Sequence, residues 1–254
     1  MKGLIVFKVA SNRYALDIEN IQRIIQAIEL TDIPNTHPLV DGMMSYEDGV
    51  IKVLNFRKLI GIASYEDELH QLFEKLKISH EDWVEALKIS VKNGSEFQKT
   101  TSPHKCELGM WIDGFTSYNE EVSAVLSNLV NHHKQLHILA VKALEIREND
   151  PQEAQTIIDV EVGSVFQSTK SALDIFTNKL DKISNSLQKL VIYENNGQKF
   201  AVKVDSIEDI THIEESLIKN SDNHHDVNEF LELEGVLDLN GVLINVIKEL
   251  NIPK

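Results

Sequence analysis

The chain has 254 residues and a formal net charge of −15, and 42% of its residues are hydrophobic and 26% charged. This is the composition of an ordinary soluble globular protein, long enough for one large domain or two of average size. The negative charge argues against broad nucleic-acid binding and against a basic membrane-binding surface. The longest apolar runs are far shorter than the about 20 residues that span a bilayer, so no membrane insertion is expected.

The N-terminus and the cysteine content indicate the compartment. Lys8 ends the apolar run that follows Met1, which is too early for a signal peptide. Cys106 is the only cysteine and cannot form an internal disulfide, which fits a reducing environment. We therefore predict a cytoplasmic protein.

Residues 1–62 have the pattern of β-structure. Residues 4–9 and 14–18 are apolar and branched on either side of a polar turn, which predicts a hairpin. A loop containing Pro34 and Pro38 follows. Asp48-Gly49 then forms a predicted turn before another strand.

Residues 187–254 repeat this first segment. When Leu4 is placed over Leu190, the two hairpins align without gaps, and later Asp48-Gly49 matches Asn240-Gly241. The alternative is chance similarity, because alternating strands are a common pattern. The repeat predicts two similar β-subdomains packed as one all-β unit, which the chain leaves near residue 62 and rejoins near residue 187.

Residues 63–186 change from strand to helix periodicity. We predict four helices, which begin near residues 64, 106, 117 and 150. The third is predicted to start at a capping box formed by Ser117 and Glu120. The fourth is predicted to run without a break to Leu187, a length of about 50 Å.

Three histidines and the single cysteine fall on the apolar faces of these helices: His80, Cys106, His133 and His137. A lone histidine on such a face is more often a satisfied core residue, so a metal-free core is the alternative. Burial of four polar groups without a shared partner costs ~1–3 kcal/mol each, and a zinc ion removes that cost. His133 and His137 lie one helical turn apart, within reach of one ion, and Cys-His₃ is an allowed zinc set.

Other metal chemistry is not expected at these positions. Lys134 stands where a metalloprotease of the His-x-x-x-His type has its glutamate, and four protein ligands leave no open position for catalysis. The apolar faces carry no carboxylates for a di-iron site. His104 and His132 are left out of the predicted site because of their positions, and His224-His225 is interpreted as a solvated turn. We therefore predict no enzymatic activity.

The two terminal segments resemble the CheW domain of bacterial chemotaxis. The resemblance covers residues 4–25, the strand and turn from Asp41-Gly42 to Asp48-Gly49-Val50, and residues 55–59, 200–210 and 235–250. It implies two five-stranded β-barrels that bind the histidine kinase CheA and the cytoplasmic tips of chemoreceptors. The family usually has Arg-Gly at Asp48-Gly49, in the receptor-contacting surface, and a proline at Lys52, so these differences put ordinary receptor coupling in question.

The inserted segment resembles the chemoreceptor zinc-binding domain, abbreviated CZB. The matching motifs are His80 with Trp83, then Cys106-x-Leu108-Gly109-x-Trp111, then His133-x-x-x-His137. The resemblance implies a four-helix bundle, commonly homodimeric, that binds zinc tightly through the three histidines and the cysteine. It also implies that Cys106 reacts with hypochlorous acid, and that Trp83, Leu108, Gly109 and Trp111 support the ligands.

Together these patterns predict an α+β multidomain protein, a split all-β CheW-like double barrel with an inserted four-helix bundle. The predicted divisions are 1–62, 63–186 and 187–254. The predicted function is a non-enzymatic chemosensory adaptor that senses zinc or oxidant and couples it to arrays of CheA and receptors. The alternative is a zinc sensor or buffer that uses the same fold outside an array.

Overall fold

The structure, a computed structural model, describes residues 1–219 and 229–253. The chain divides into two compact units, a β unit of Met1–Tyr65 with Ser184–Lys254 and a helical unit of Glu66–Ile183. The chain therefore leaves the β unit once and returns to it once. His224 and His225, interpreted above as a solvated turn, lie outside the described residues.

Both terminal segments supply strands to the β unit. The strands of the first segment are β1 (Lys2–Val9), β2 (Asn12–Asp17), β3 (Ile21–Gln26), β4 (Val40–Tyr46) and β5 (Gly49–Asn55), followed by the short helix α1 (Phe56–Leu59). Those of the last segment are β6 (Lys189–Asn195), β7 (Gln198–Val204), β8 (Ser206–Ile213), β9 (Ile218–Lys219), β10 (Leu231–Leu239) and β11 (Val242–Leu250). The two predicted hairpins are confirmed, because β1 pairs with β2 and β6 pairs with β7, both antiparallel.

Each sheet of the β unit takes strands from both segments. Among the described residues, one sheet has the order β8-β1-β2-β11-β10-β9 and the other β3-β6-β7-β5-β4. The parallel pairs are β2 with β11 in the first sheet and β5 with β7 in the second. Under the predicted repeat, β6, β7, β8 and β11 correspond to β1, β2, β3 and β5. With this correspondence the two sheets have the same strand order, except that each strand of one segment is replaced by its counterpart from the other segment. Each sheet is therefore built from both segments.

The predicted pair of five-stranded barrels differs from the observed hydrogen bonding. In the described part of the chain the strands pair as two sheets with edges, and the first sheet has the two-residue strand β9 as an additional member. The shared core explains why strands form here. Phe7, Tyr14 and Phe56 bury their rings against one another, with centroids 4.8 to 5.8 Å apart. Strand β1 is buried along residues 4–7, as its continuous apolar run requires.

The helical unit follows the predicted periodicity. Its helices are α2 (Tyr65–Asn93), α3 (Glu107–Gly114), α4 (Glu120–Ile146), α5 (Pro151–Thr156), a π-helical segment (Ile157–Val162), α6 (Gly163–Thr177) and α7 (Leu180–Leu187). Gly94 has a φ of +63°, the left-handed conformation that ends α2. The predicted cap at Ser117 is wrong, because Asn119 caps α4 and its side chain accepts the Val122 N–H. No helix among the described residues has the length and apolar character needed to cross a bilayer.

The predicted unbroken fourth helix is also wrong. The chain is helical from Pro151 to Thr177, about 40 Å, and turns before α7 begins at Leu180. Thr177 and Asn178 have low helix propensity, and the Thr177 hydroxyl donates to the Asp174 carbonyl at 2.9 Å. This side-chain bond competes with continuation of the helix. The apolar periodicity is the same on both sides of the interruption, so it gives no sign of the break.

Candidate metal centre

The four predicted ligands come from three parts of the helical unit. His80 lies on α2, Cys106 immediately precedes α3, and His133 and His137 lie on α4. Each of these side chains is 1–8% exposed. The i, i+4 spacing on α4 puts its two imidazoles on the same buried face, with ring centroids 4.8 Å apart. The structure therefore brings together all four predicted ligand residues.

The donor atoms of the four residues lie close enough together to converge on a single tetrahedral ion. One nitrogen or sulfur atom from each residue lies within 4.8 Å of the others. The His133 Nε2 atom is 3.3 Å from His80 Nε2 and 3.1 Å from Cys106 Sγ. Zinc–ligand distances of ~2.0–2.3 Å in a tetrahedron put neighbouring donor atoms about 3.3–3.6 Å apart. The two His133 separations are close to these values, whereas the widest separation in the cluster, 4.8 Å, would have to shorten around one ion.

Backbone carbonyls determine which imidazole nitrogens face the cluster. His80 Nδ1 lies 2.9 Å from the Leu76 carbonyl oxygen, and His137 Nδ1 lies 3.0 Å from that of Thr101. An Nδ1–H donated to a carbonyl leaves the Nε2 lone pair available for a metal. The Nε2 atom of His137 is fully buried and has no hydrogen-bond partner among the described residues. Such an unpaired buried nitrogen is costly, and a bound metal would satisfy it.

Cys106 is held at the start of a helix by its own sulfur. Its Sγ atom caps α3 and accepts the Gly109 N–H at 3.2 Å, which stabilises negative charge on sulfur. Gly109 is required for close packing rather than for backbone freedom. A Cβ atom at Gly109 would lie 1.6 Å from the Pro103 carbonyl oxygen and 3.3 Å from Cys106 Sγ.

Burial keeps the histidines in the form that binds metals. It lowers the pKa of all three imidazoles, to about 3 for His133 and to about 4 for His137. These rings are therefore neutral at pH 7 and can donate their lone pairs. Burial also raises the pKa of the Cys106 thiol. Without a metal the sulfur stays protonated at neutral pH, and binding of a dication would release that proton.

The residues predicted to support the ligands differ in how directly they contact the four-residue cluster. Trp83 contacts the site directly: its ring centroid is 4.7 Å from that of His137, and its indole N–H donates to the Thr100 carbonyl at 2.8 Å. Leu108 is buried in α3. The ring of Trp111 packs on Phe73, Phe115 and Phe176 in an aromatic cluster.

Two neighbouring histidines do not belong to the cluster. His104 pairs with the exposed carboxylate of Asp113 at 2.9 Å, and His132 is absent from the group of converging ligands in the described residues. Sequence reasoning missed the carbonyls of Leu76, Thr101 and Pro103. Every residue has a carbonyl, so no residue type marks the few that hold a ligand.

Comparison with known proteins finds two domain families whose models match parts of the chain. The family model of the CheW-like domain matches residues 3–75, and that of the chemoreceptor zinc-binding domain matches residues 80–144. The chemotaxis protein CheW of Thermotoga maritima is 26% identical over 66 residues, which are 26% of this chain and 44% of that protein. The chain thus spans less than half the length of this curated relative.

A solved structure is also similar. The crystal structure of the scaffolding protein TtCheW from Thermoanaerobacter tengcongensis aligns with 97% of this chain and 88% of its own, at 14% sequence identity and a TM-score of 0.45.

These findings confirm part of the prediction. The chain contains a CheW-like segment followed by a chemoreceptor zinc-binding segment. The predicted cofactor, zinc, is confirmed by the second match together with a buried Cys-His₃ cluster suited to this ion. The assignment of individual side chains as ligands remains a prediction. The predicted domain divisions at residues 62 and 187 also remain a prediction. The CheW-like match, residues 3–75, lies entirely before the zinc-binding match, residues 80–144, so the matches do not show that one domain interrupts the other.

Proposed function

We propose that this protein is a chemosensory scaffold adaptor whose state depends on zinc held by His80, Cys106, His133 and His137. One observation carries the proposal: these four buried donors converge within the helical unit, whose two ends connect to a β unit that begins with a CheW-like segment. We further propose that residues 187–254 complete the CheW-like domain, so that residues 63–186 interrupt it.

The donor set supports a structural zinc site rather than a catalytic one. Four protein ligands fill a tetrahedral ion and leave no position for a substrate. Bound zinc would neutralise the buried thiolate and connect α2, the start of α3 and α4 through one centre. His80 and His137 are already oriented by their bonds to the Leu76 and Thr101 carbonyls. Zinc level would therefore determine how firmly these helices are held together.

Oxidant sensing would use Cys106. Bound zinc would hold the Cys106 sulfur as a thiolate, the nucleophilic form. With hypochlorous acid, the sulfur attacks chlorine, an S–Cl bond forms, the O–Cl bond breaks and hydroxide leaves. Water then displaces chloride and loses a proton to give a sulfenic acid, so that sulfur loses two electrons and chlorine becomes chloride. The oxidised sulfur is a weaker ligand, and zinc binding would weaken.

The proposed partners are the kinase CheA and the cytoplasmic tips of chemoreceptors. The support is the CheW-like match and the relative named as the chemotaxis protein CheW. A homodimer formed through the helical segment is a further part of the proposal and rests on resemblance to the CZB family alone. Light scattering of the zinc-loaded protein would measure its mass.

The acidic hairpin tip favours a second candidate, a zinc sensor or buffer outside an array. Glu47 and Asp48 form the turn between β4 and β5, and Glu47 pairs with Lys199 at 2.9 Å. In the CheW family this turn usually carries an arginine. Lys52, in place of the usual proline, donates to the Pro253 carbonyl at 3.1 Å.

A binding experiment with metal analysis separates the candidates. Zinc content is measured for the wild type and Cys106→Ala, and each is tested for capture of CheA and receptor tips with zinc, after chelation and after hypochlorous acid. An adaptor captures the partners and changes its capture when zinc is removed. A buffer binds zinc and captures neither partner, and Asp48→Arg is then expected to restore capture of the receptor tip. Purified wild type that contains no zinc and binds none would contradict both candidates.

A further inference from the structure

The β unit contains a buried ion pair outside the metal centre. Arg57, on α1, is 2% exposed. Its Nε and Nη2 atoms donate to the two carboxylate oxygens of Asp205 at 2.7 and 2.6 Å. This two-point geometry is the strong form of an arginine–carboxylate interaction. The two residues are far apart in sequence, and Asp205 lies between β7 and β8.

Arg57 also holds the stretch through which the chain leaves the β unit. Its Nη1 atom donates to the Ala63 carbonyl at 3.2 Å, and its guanidinium carbon lies 4.6 Å from the centroid of the Tyr65 ring. Tyr65 is the first residue of α2, the helix that continues to His80. The departing chain is thus fixed to the guanidinium by a hydrogen bond and a cation–π contact.

Asp205 holds the stretch through which the chain returns. The side chain of Gln188, the residue after α7, donates to Asp205 at 3.3 Å. The Gln188 carbonyl in turn accepts from the Gln26 side chain at 2.7 Å and from the Ala27 N–H at 3.1 Å. Gln188 is therefore bonded to the same ion pair as Tyr65, and through Gln26 to the end of β3.

We propose that the Arg57–Asp205 pair is a coupling anchor, through which a change in the helical unit alters the β unit. This rests on the proposed zinc-dependent function. Each crossing of the chain is fixed to one member of the pair, so a relative displacement of Tyr65 and Gln188 must act on the bond between them. A buried pair tolerates little stretching, because separated charges in a low-dielectric site are strongly unfavourable. A displacement of Tyr65 relative to Gln188 is therefore expected to move the whole pair rather than to lengthen the bond between Arg57 and Asp205.

Arg57→Lys in the full-length chain tests the anchor. Lysine keeps the charge but cannot bridge both oxygens of Asp205 and the Ala63 carbonyl. The charge-free double variant Arg57→Met with Asp205→Leu leaves no unpaired charge and decides the question if the single variant does not fold. Lys203→Met is the matched control, because Lys203 is also buried in the β unit and its aspartate partner, Asp41, is a different one.

The measurement is hydrogen exchange of the zinc-loaded and chelated forms, followed in peptides that cover residues 24–27 and 188–191. The wild type and Lys203→Met are expected to exchange faster in these peptides when zinc is removed. In the anchor variants this zinc-dependent difference is expected to be reduced in Arg57→Lys and lost in the double variant, with zinc content unchanged.

The outcomes separate this inference from the proposed function. An unchanged zinc-dependent difference in the anchor variants overturns the anchor and leaves the function intact. Equal loss in Lys203→Met overturns it as well, because the effect is then general destabilisation. A wild type that binds zinc without any change in β-unit exchange overturns the anchor together with coupling in the proposed function, and a wild type that binds no zinc overturns the zinc site itself.

Discussion

A methyl group at Gly109 has no room beside the metal centre. The added Cβ would lie 1.6 Å from the Pro103 carbonyl oxygen. To reach the about 3.3 Å at which carbon and carbonyl oxygen touch, the two must separate by roughly 1.7 Å. Pro103 and Gly109 lie shortly before and after Cys106 in the chain, and the Cys106 sulfur accepts the Gly109 N–H. A separation of this size must move Gly109, the Pro103 carbonyl or both, so we expect the Cys106 sulfur to be displaced from the other three ligands in Gly109→Ala.

We expect Gly109→Ala to weaken zinc binding. Loss of the groups that orient a ligand typically reduces metal affinity by about 10–100-fold, which is ~1.4–2.8 kcal/mol. The affinity is measured by competition with a chromophoric chelator at neutral pH. Gly114→Ala is the matched control, because Gly114 ends the same helix and nothing lies within 4 Å of a Cβ built there. Wild-type affinity in Gly109→Ala, or equal losses in both variants, would refute the steric argument.

Two further predictions concern the metal-free protein. Burial lowers the pKa of His133 to about 3 and of His137 to about 4, whereas an unfolded histidine titrates near 6.5. As the pH falls, the unfolded chain therefore takes up protons before the folded one does. The free energy of unfolding is highest above pH 6.5 and decreases towards pH 4, and at pH 5 the loss is about 2 kcal/mol per imidazole. Urea unfolding of the chelated protein at pH 7 and 5 measures this, and an unchanged pH dependence in His133→Ala would contradict it. Zinc removal should also change the tryptophan emission through Trp83, so the change should vanish in Trp83→Phe and persist in Trp111→Phe.

The convergence of His80, Cys106, His133 and His137 was largely predictable from the sequence because residue type carries the signal. Histidine and cysteine are scarce on apolar helix faces, and the spacing of His133 and His137 fixes their geometry once a helix is assumed. The contacts that orient the ligands were not predictable. The Thr101 and Pro103 carbonyls act through position in a loop, residues 95–103, whose sequence is mostly polar.

The fold was predictable to the level of hairpins and helices. Strands β1, β2, β6 and β7 follow from short apolar, β-branched runs on either side of polar turns, but their assembly does not. The exchange of segments between the sheets depends on pairs such as β3 with β6, which join opposite ends of the chain. The bond between Arg57 and Asp205 is equally remote in sequence. In the sequence alone, Arg57 and Asp205 look like ordinary charged surface residues.

The connectivity also indicates which sheet a change in the helical unit reaches. The segment between residues 63 and 186 departs after β5 and α1 and returns into β6, and β5 and β6 belong to the same sheet, separated by β7. The first sheet has no direct connection to either end of that segment. The sheet that contains β5 also contains the β4–β5 hairpin, whose tip carries Asp48. Under the proposed function, a zinc-dependent displacement therefore acts first on the sheet that carries this tip, where Asp48 stands in place of the arginine usual in the CheW family. A zinc effect on partner binding that persists when this hairpin tip is altered would have to act through another part of the β unit.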